Sequence, residues 1–259
     1  MPLISVIIIT KNEAHNIEAC LQSVAWADEI VVVDSGSTDS TVEIARKYTD
    51  KILMTDWPGY GPQKQRALAM ATGEWILSID ADERVSPELQ KEMCAAILNT
   101  KYDGFEISFQ SEYCGKIIRF GDWWHDRQAV LFRRTKGRFS EALVHETIDI
   151  QGSIGRLKGT IYHIAFPNLT TVLRKMNDYS SWSAEQKSAQ GKKGGVLRAI
   201  GHGLFAFIRS YIIRLGFLDG REGFFLAVSN AEGTYYRYLK LMYLLEQSDH
   251  ATRKATKKV

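Results

Sequence analysis

The sequence predicts an α/β protein: a mostly parallel, Rossmann-like central sheet flanked by helices, followed by a C-terminal helical extension. Three observations carry this reading. Short apolar runs rich in β-branched residues recur through the first hundred residues, each followed by apolar residues at helical spacing. Such alternation builds parallel sheets covered on both faces. The chain has 259 residues, 45% hydrophobic and 24% charged, enough for one core-forming domain with an appendage. Beyond residue 166 the strand signal stops and helical periodicity takes over.

Taken in order, "ISVIII" at 4–9 reads as a central strand, and Ile17, Cys20, Leu21 and Val24 form the buried stripe of a first helix. "EIVVVD" ends a second strand at Asp34, "SGSTD" supplies turn and capping chemistry, and Thr41, Ile44, Ala45 and Tyr48 mark a second helix. "KILMT" is a third strand, 62–72 a third helix, and "WILSID" a fourth strand ending at Asp80. Ser86 before Pro87 is an N-cap with a first-turn proline, and Leu89, Met93, Ala96 and Ile97 give that helix its buried face. From about 104 to 165 short alternating segments such as "FEISF" and "AVLFRR" predict a mixed β region. The domain division expected is 1–165 and 166–259.

Composition narrows the function. A net charge of +3 gives no case for nucleic acid, although basic residues concentrate in the last third. Cys20, Cys94 and Cys114 lack C-x-x-C spacing, which argues against a disulfide framework or zinc knuckle and for a reducing cytoplasm. The N-terminus runs straight into "LISVIIIT" without a basic region or cleavage site, so it reads as a strand and not a signal peptide.

Parallel sheets bind ligands beyond the carboxyl ends of their strands. Three predicted strand ends are polar there: Thr10 to Glu13, Asp34 to Asp39, and Asp80 to Glu83. Carboxylates one residue apart, as Asp80 and Asp82 are, suit a hard divalent cation, Mg2+ or Mn2+, shared with substrate phosphates. The alternative is a solvated acidic turn, whose two charges repel by only ~1 kcal/mol in water. No G-x-G-x-x-G follows the first strand and no G-x-x-x-x-G-K-[ST] occurs, which disfavours dinucleotide dehydrogenases and P-loop enzymes. "HETID" lacks the second histidine of a zinc protease.

"QGKKGG" at 190–195 reads as a linker. The stretch 196–218 is long enough to span a bilayer, but arginines and a histidine interrupt it. Arg198, His202 and Arg209 share one helical face, which predicts a helix lying on a membrane surface with its cations toward anionic headgroups. The competing reading is a helix packed on the protein with a solvated basic face.

"VIIITKNEAHNIEACLQSV", "EIVVVDSGSTDST", "QKQRALAMATGEW" and "SIDADE", in this order and spacing, resemble the nucleotide-diphosphosugar-dependent glycosyltransferases of family 2, which have the GT-A fold. "WADEIVVVDSGS", "TDWPGYGPQKQ", "LVHE" and "RLGFLDGREGFFLAVSNAEGTYYRYLKL" are most similar to the lipopolysaccharide core β-1,4-glucosyltransferases of Gram-negative bacteria. The resemblance implies that Thr10, Asn12, Glu13, Asp34 and Lys64 serve the nucleotide, and that Asp80 and Asp82 are the family's Asp-x-Asp pair, with Asp82 the more direct metal ligand. Many members read Asp-Asp-Gly-Ser where this chain reads Asp34-Ser35-Gly36-Ser37, which leaves one carboxylate fewer for the nucleotide. Lys64 stands where an arginine is frequent, and the Gln-x-x-Arg-Trp signature of processive synthases is absent, implying one sugar per acceptor.

The family inverts the anomeric centre, so a single base must deprotonate the acceptor. Glu146 is the candidate, with Asp126 and Asp149 as competitors. His163 is either a further metal ligand, as in some related GT-A enzymes, or a packing residue, and His145 is open in the same way. Trp123 and Trp124 stack on an acceptor sugar or pack in the core; Lys192 and Lys193 meet acceptor phosphates or headgroups, or are merely solvated. The expectation is a cytoplasmic, peripheral enzyme of the inner membrane moving glucose from a UDP-sugar to a heptose of the lipopolysaccharide core. A polyprenyl-linked or other cell-envelope glycan acceptor is the nearest alternative. A nucleotidyltransferase or an inactive membrane scaffold stands further off.

Overall fold

The structure is a computed structural model and describes residues 2–98, 101–123, 126–141 and 147–256. Its first hundred residues alternate as expected: β1 (Ile4–Thr10), α1 (Ile17–Val24), β2 (Glu29–Asp34), α2 (Thr41–Ala45), β3 (Ile52–Met54), α3 (Tyr60–Met70), β4 (Trp75–Asp80), β5 (Glu83–Val85) and α4 (Pro87–Ala96). A β-rich stretch follows with β6 (Gly104–Tyr113), β7 (Lys116–Ile117), β8 (Arg127–Arg133), β9 (Gly137–Phe139), β10 (Ile148–Ile150) and β11 (Ile154–Phe166). The remainder is helical: α5 (Leu169–Ala189), α6 (Val196–Ile208) and α7 (Gly220–Thr256).

The main sheet runs β3-β2-β1-β4-β8-β6-β11-β5, with β7 paired to β6. β3, β2, β1 and β4 are mutually parallel. β8 and β5 add antiparallel pairings, to β4 and β11 respectively. β4 and β5 are separated in sequence by Ala81 and Asp82 alone, yet β5 lies at the far end of the strand order. The sheet must therefore curl until that end returns beside β4, and the two-residue link crosses the seam.

β1 is buried along its whole length because both faces are covered. Ile4, Val6 and Ile8 pack with the α1 stripe, Leu89 and Met93, whereas Ile7 and Ile9 pack with Ala67, Leu68 and Ala71 on the opposite side. Ser86 accepts the N–H of Leu89 with Pro87 in the first turn, so the predicted cap forms. The third helix begins at Tyr60, two residues before the expected start, after Gly59 at φ 115°. It ends early as well, because Thr72 N–H and Gly73 N–H donate to Glu29 and Ser5 instead of continuing the helix.

The chain divides into two compact units, Met1–Gln110 with His125–Ile164, and Ser111–Trp124 with Ala165–Val259. In the second unit the stretch 196–218 is three pieces and not one helix: α6, a π-helical turn at Arg209–Ile213, and a 3-10 turn at Gly216–Asp219 after left-handed Leu215. The expected cationic face is dismantled with it. Arg209 forms a bidentate pair with Asp122 at 3.0 Å, joined there by Arg214 and Asn230, and His202 stacks on Tyr238 at 4.4 Å. Trp123 is in an aromatic cluster, stacked on Phe166 at 5.6 Å beside buried Tyr113, so it serves packing. Lys192 and Lys193 are exposed.

Candidate functional site

The parallel register sets the site. Thr10 pairs with Asp34 and Ile9 with Asp80, so the polar ends of β1, β2 and β4 meet at one edge. The turns after β1 and β2 clasp each other. Asn12 adopts φ 54°, a left-handed conformation that asparagine tolerates. Its side-chain oxygen accepts from Thr38 N–H at 2.8 Å, while its own N–H donates to Ser37 Oγ at 2.8 Å. Glu13 N–H donates to Thr41 Oγ1 at 2.8 Å and Ala14 N–H to Asp39 at 3.1 Å. Buried Asp34 accepts the N–H groups of Gly36 and Ser37, both at 2.9 Å, and the Ser37 hydroxyl. Its carboxylate is thus largely committed to fixing its own turn. The Glu13 carboxylate accepts from Asn16 Nδ2 at 2.8 Å. Beside this clasp the Thr10 hydroxyl is buried and has no hydrogen-bond partner among the described residues.

α3 lays a second wall over the edge. Buried Gln63 donates to Ser35 Oγ at 2.8 Å, and Lys64 Nζ lies 3.0 Å from Asp80 Oδ1 as an ion pair without hydrogen-bond geometry. The acidic link is held from below by Glu83, which is buried and accepts the Asp80 N–H at 2.9 Å. Burial, reinforced by the charge of Asp80, pushes the Glu83 carboxyl up to about 8. The Cys20 thiol packs against the Asp80 carbonyl at 3.5 Å, and burial pushes it up too.

β11 completes the cluster. His163 pairs with Glu83 across the strands, and Ile164 N–H donates to the Asp82 carbonyl at 2.9 Å. That register brings His163 Nε2 to 3.3 Å from Asp82 Oδ2. Burial alone would lower the imidazole, but the hydrogen bond and charge of Asp82, with Glu83 and Asp80 behind, raise it to about 9. Each carboxylate of the pair therefore faces one cation, Lys64 or His163.

Asp80, Asp82, Lys64 and His163 are thus gathered into one cluster, and Thr10, Asn12, Glu13 and Asp34 into the adjoining clasp. Glu146, His145 and Trp124 lie outside the described residues. Asp126 and Asp149 are exposed. Glu83 and Gln63 had no role assigned from sequence. Glu83 had a signal, since it directly follows the acidic pair in "SIDADE". Gln63 had one too, since it opens "QKQRALAMATGEW", one of the stretches that carry the family resemblance.

Among the described residues no three His, Cys, Asp or Glu side chains are arranged as a metal cage. The donor set of two carboxylates and an imidazole fits a different arrangement. Mg2+ and Mn2+ are commonly held by one or two carboxylates, with water and substrate phosphate oxygens filling the remaining positions. A separate open groove of about 430 Å3, lined by residues that include Leu3, Glu29, Lys51 and Gly73, lies at the opposite strand ends and shares no residue with this cluster.

The family described as Glycosyl transferase family 2 matches residues 5–164. An uncharacterized glycosyltransferase of Rickettsia typhi is 32% identical over 96% of this chain and 88% of its own. The lipopolysaccharide core biosynthesis glycosyltransferase LpsC of Rhizobium meliloti is 32% identical over 89% of this chain and 88% of its own. Among solved structures, residues 1–349 of TarS from S. aureus match at 23% identity and a TM-score of 0.48, over 63% of this chain and 60% of that one.

Proposed function

The chain belongs to glycosyl transferase family 2, and from that premise we propose that it transfers glucose from a UDP-sugar to a heptose of the lipopolysaccharide inner core. The observation that carries the chemistry is the Asp80–Asp82 link at the nucleotide-type edge, with Lys64 at 3.0 Å and His163 at 3.3 Å. Support for the acceptor comes from the name of the Rhizobium meliloti relative, which covers most of both chains. In this reading residues 1–165 are the catalytic domain and 166–259 an extension serving the acceptor side. A lipid-anchored acceptor places the enzyme at the cytoplasmic face of the inner membrane.

Thr10, Asn12, Glu13 and Asp34 hold the nucleoside in the clasp, and Lys64 meets the diphosphate. Asp82, Asp80 and His163 would hold a divalent cation, Mg2+ or Mn2+, which when bound supplies positive charge to the departing diphosphate. Glu146 takes the proton from the acceptor hydroxyl as its oxygen bonds to the anomeric carbon. The bond from that carbon to the UDP oxygen breaks on the opposite face, inverting the centre. Each acceptor receives one sugar.

The test is UDP release from UDP-glucose and Mn2+, slow alone and faster with deglucosylated core acceptor. Asp82→Ala should abolish turnover and metal-dependent UDP binding. Glu146→Gln should keep UDP binding and lose ~10² to 10⁴ in rate; near-normal turnover would remove Glu146 as the base. Pyrophosphate formed from UTP and a sugar phosphate would instead establish a nucleotidyltransferase.

A further inference from the structure

α6 displays its side chains in an order opposite to that of a helix folded into water. Its buried positions are small: Ala199, Gly203 and Ala206, continued by Ser210 in the π-helical turn, at spacings of four, three and four. This stripe faces α7 closely, since a Cβ on Gly203 would sit 3.3 Å from the Ala231 carbonyl and from Tyr235 Cβ. The large apolar residues point the other way. Leu197, Ile200, Leu204, Phe205, Ile212 and Ile213 are all exposed, Leu197 at 85%. Phe217 and Leu218 extend the patch into the following turn.

Helices on the surface of soluble domains turn their large apolar residues inward, and contiguous exposed apolar surface marks an interaction site. Small residues toward the neighbouring helix with large apolar residues outward is the arrangement found in lipid. Val196–Ile213 is long and apolar enough to cross a membrane by length and composition, yet only 22% of it is buried. Eighteen residues at 1.5 Å make ~27 Å, just short of a typical ~30 Å hydrocarbon core. More decisively, α6 packs along α7, which carries Arg221, Glu222, Glu232, Arg237, Lys240 and Glu246 and has no composition for the bilayer interior. A helix so tied to a charged partner is not placed to cross a bilayer.

Charge selects the kind of surface. From Gln190 to Leu218 there is no Asp or Glu, against five Lys and Arg. Arg209 and Arg214 are taken by Asp122, while Lys192, Lys193 and Arg198 remain exposed around the start of α6.

We propose that α6 and the turn after it seat the chain on an anionic lipid bilayer, with Leu197, Ile200 and Leu204 in the acyl boundary and Lys192, Lys193 and Arg198 among the headgroups. This deepens the membrane-face reading above by naming what docks: the exposed apolar face enters the acyl boundary, and Lys192, Lys193 and Arg198 form its rim. The tests read lipid binding and not turnover, so their failure would leave the transferase reading standing.

The experiment is co-sedimentation of the full chain with vesicles of phosphatidylcholine containing phosphatidylglycerol. Binding should persist in part at 0.5 M salt, about where a Debye length of a few ångströms removes the rim's contribution. Leu197→Ser, Ile200→Ser and Leu204→Ser combined should weaken binding at least ~10-fold, since each large apolar side chain leaving lipid for water forfeits on the order of a tenfold factor or more. Lys192→Ala with Lys193→Ala should weaken it at low salt only. Because the serine sites are exposed, their variant should keep wild-type UDP affinity, which checks its folding. Leu197→Trp gives a second reading: its emission should shift to the blue on vesicles and be quenched by lipids brominated on the acyl chain. Wild-type binding by the triple variant, or an introduced indole that the brominated lipids leave unquenched, would overturn the proposal. So would a chain that ignores vesicles and forms concentration-dependent dimers lost in the triple variant, since a second copy would then be what covers the face.

Discussion

The carboxyl of Glu83 accepts the backbone N–H of Asp80 at 2.9 Å, closing the acidic link on itself from the buried side. Removing that acceptor in Glu83→Ala leaves a buried donor unsatisfied and should cost ~1 to 3 kcal/mol of stability, whereas Glu83→Gln keeps an acceptor in place. The pH dependence separates the two functions of the group. A carboxyl raised from 4.5 to about 8 on folding stabilises the protein as its neutral form. That contribution is complete below pH 4.5 and is lost as pH rises through about 8. Urea midpoints of the wild type should therefore fall across that window, and those of Glu83→Gln should fall less.

Glu29 runs the opposite way. Burial raises its carboxyl, but hydrogen bonds from Lys51, Ser5 and Thr72 outweigh burial and hold it down at about 2. Its contribution is present above pH 4.5 and disappears as pH falls toward 2. Acid unfolding followed by circular dichroism should begin in that interval. Glu29→Gln should start less stable at neutral pH and show a shallower acid slope.

The Thr10 hydroxyl, buried without a partner among the described residues, predicts a trade between stability and binding. Thr10→Val keeps the shape and removes the unsatisfied group, so the free protein should gain about 1 kcal/mol. UDP affinity, read by calorimetry, should fall if this hydroxyl serves the nucleotide as proposed. Unchanged affinity would remove Thr10 from the donor site.

Gly159 lies where β11 crosses α4: a Cβ there would come within 2.6 Å of Leu89 Cα and Cβ. Backbone cannot yield as a flexible side chain does, so Gly159→Ala should cost ~1 to 3 kcal/mol and lower the melting temperature by several degrees. Because β11 carries His163 to Asp82, metal-dependent UDP binding should weaken in the same variant.

Local signals in the sequence account for half of the site. Asp34 and Asp80 end long β-branched runs, and a parallel register brings such ends to one edge. The rest depends on long-range pairing that no local period encodes. "ERV" is too short to announce a strand, and its antiparallel partner lies nearly eighty residues away at Ile161–His163. The cationic face on 196–218 failed for a related reason. Helical spacing does align Arg198, His202 and Arg209, but Asp122 claims Arg209 from 87 positions earlier in the chain. Trp123 was ambiguous because a sugar platform and a packed indole have the same local sequence; Phe166 stacked on it decides.

The seam between β4 and β5 has a consequence for biosynthesis. Once the first hundred residues have left the ribosome, every carboxylate of the acidic link exists, yet β5 has nothing to pair with until Ile161, Tyr162 and His163 are made. Competence thus arrives late, with one short stretch of chain. A translational stall or proteolytic nick before that stretch leaves a sheet with an open margin and without His163, exposed to aggregation and quality control although Asp34, Asp80, Asp82 and Glu83 are all present.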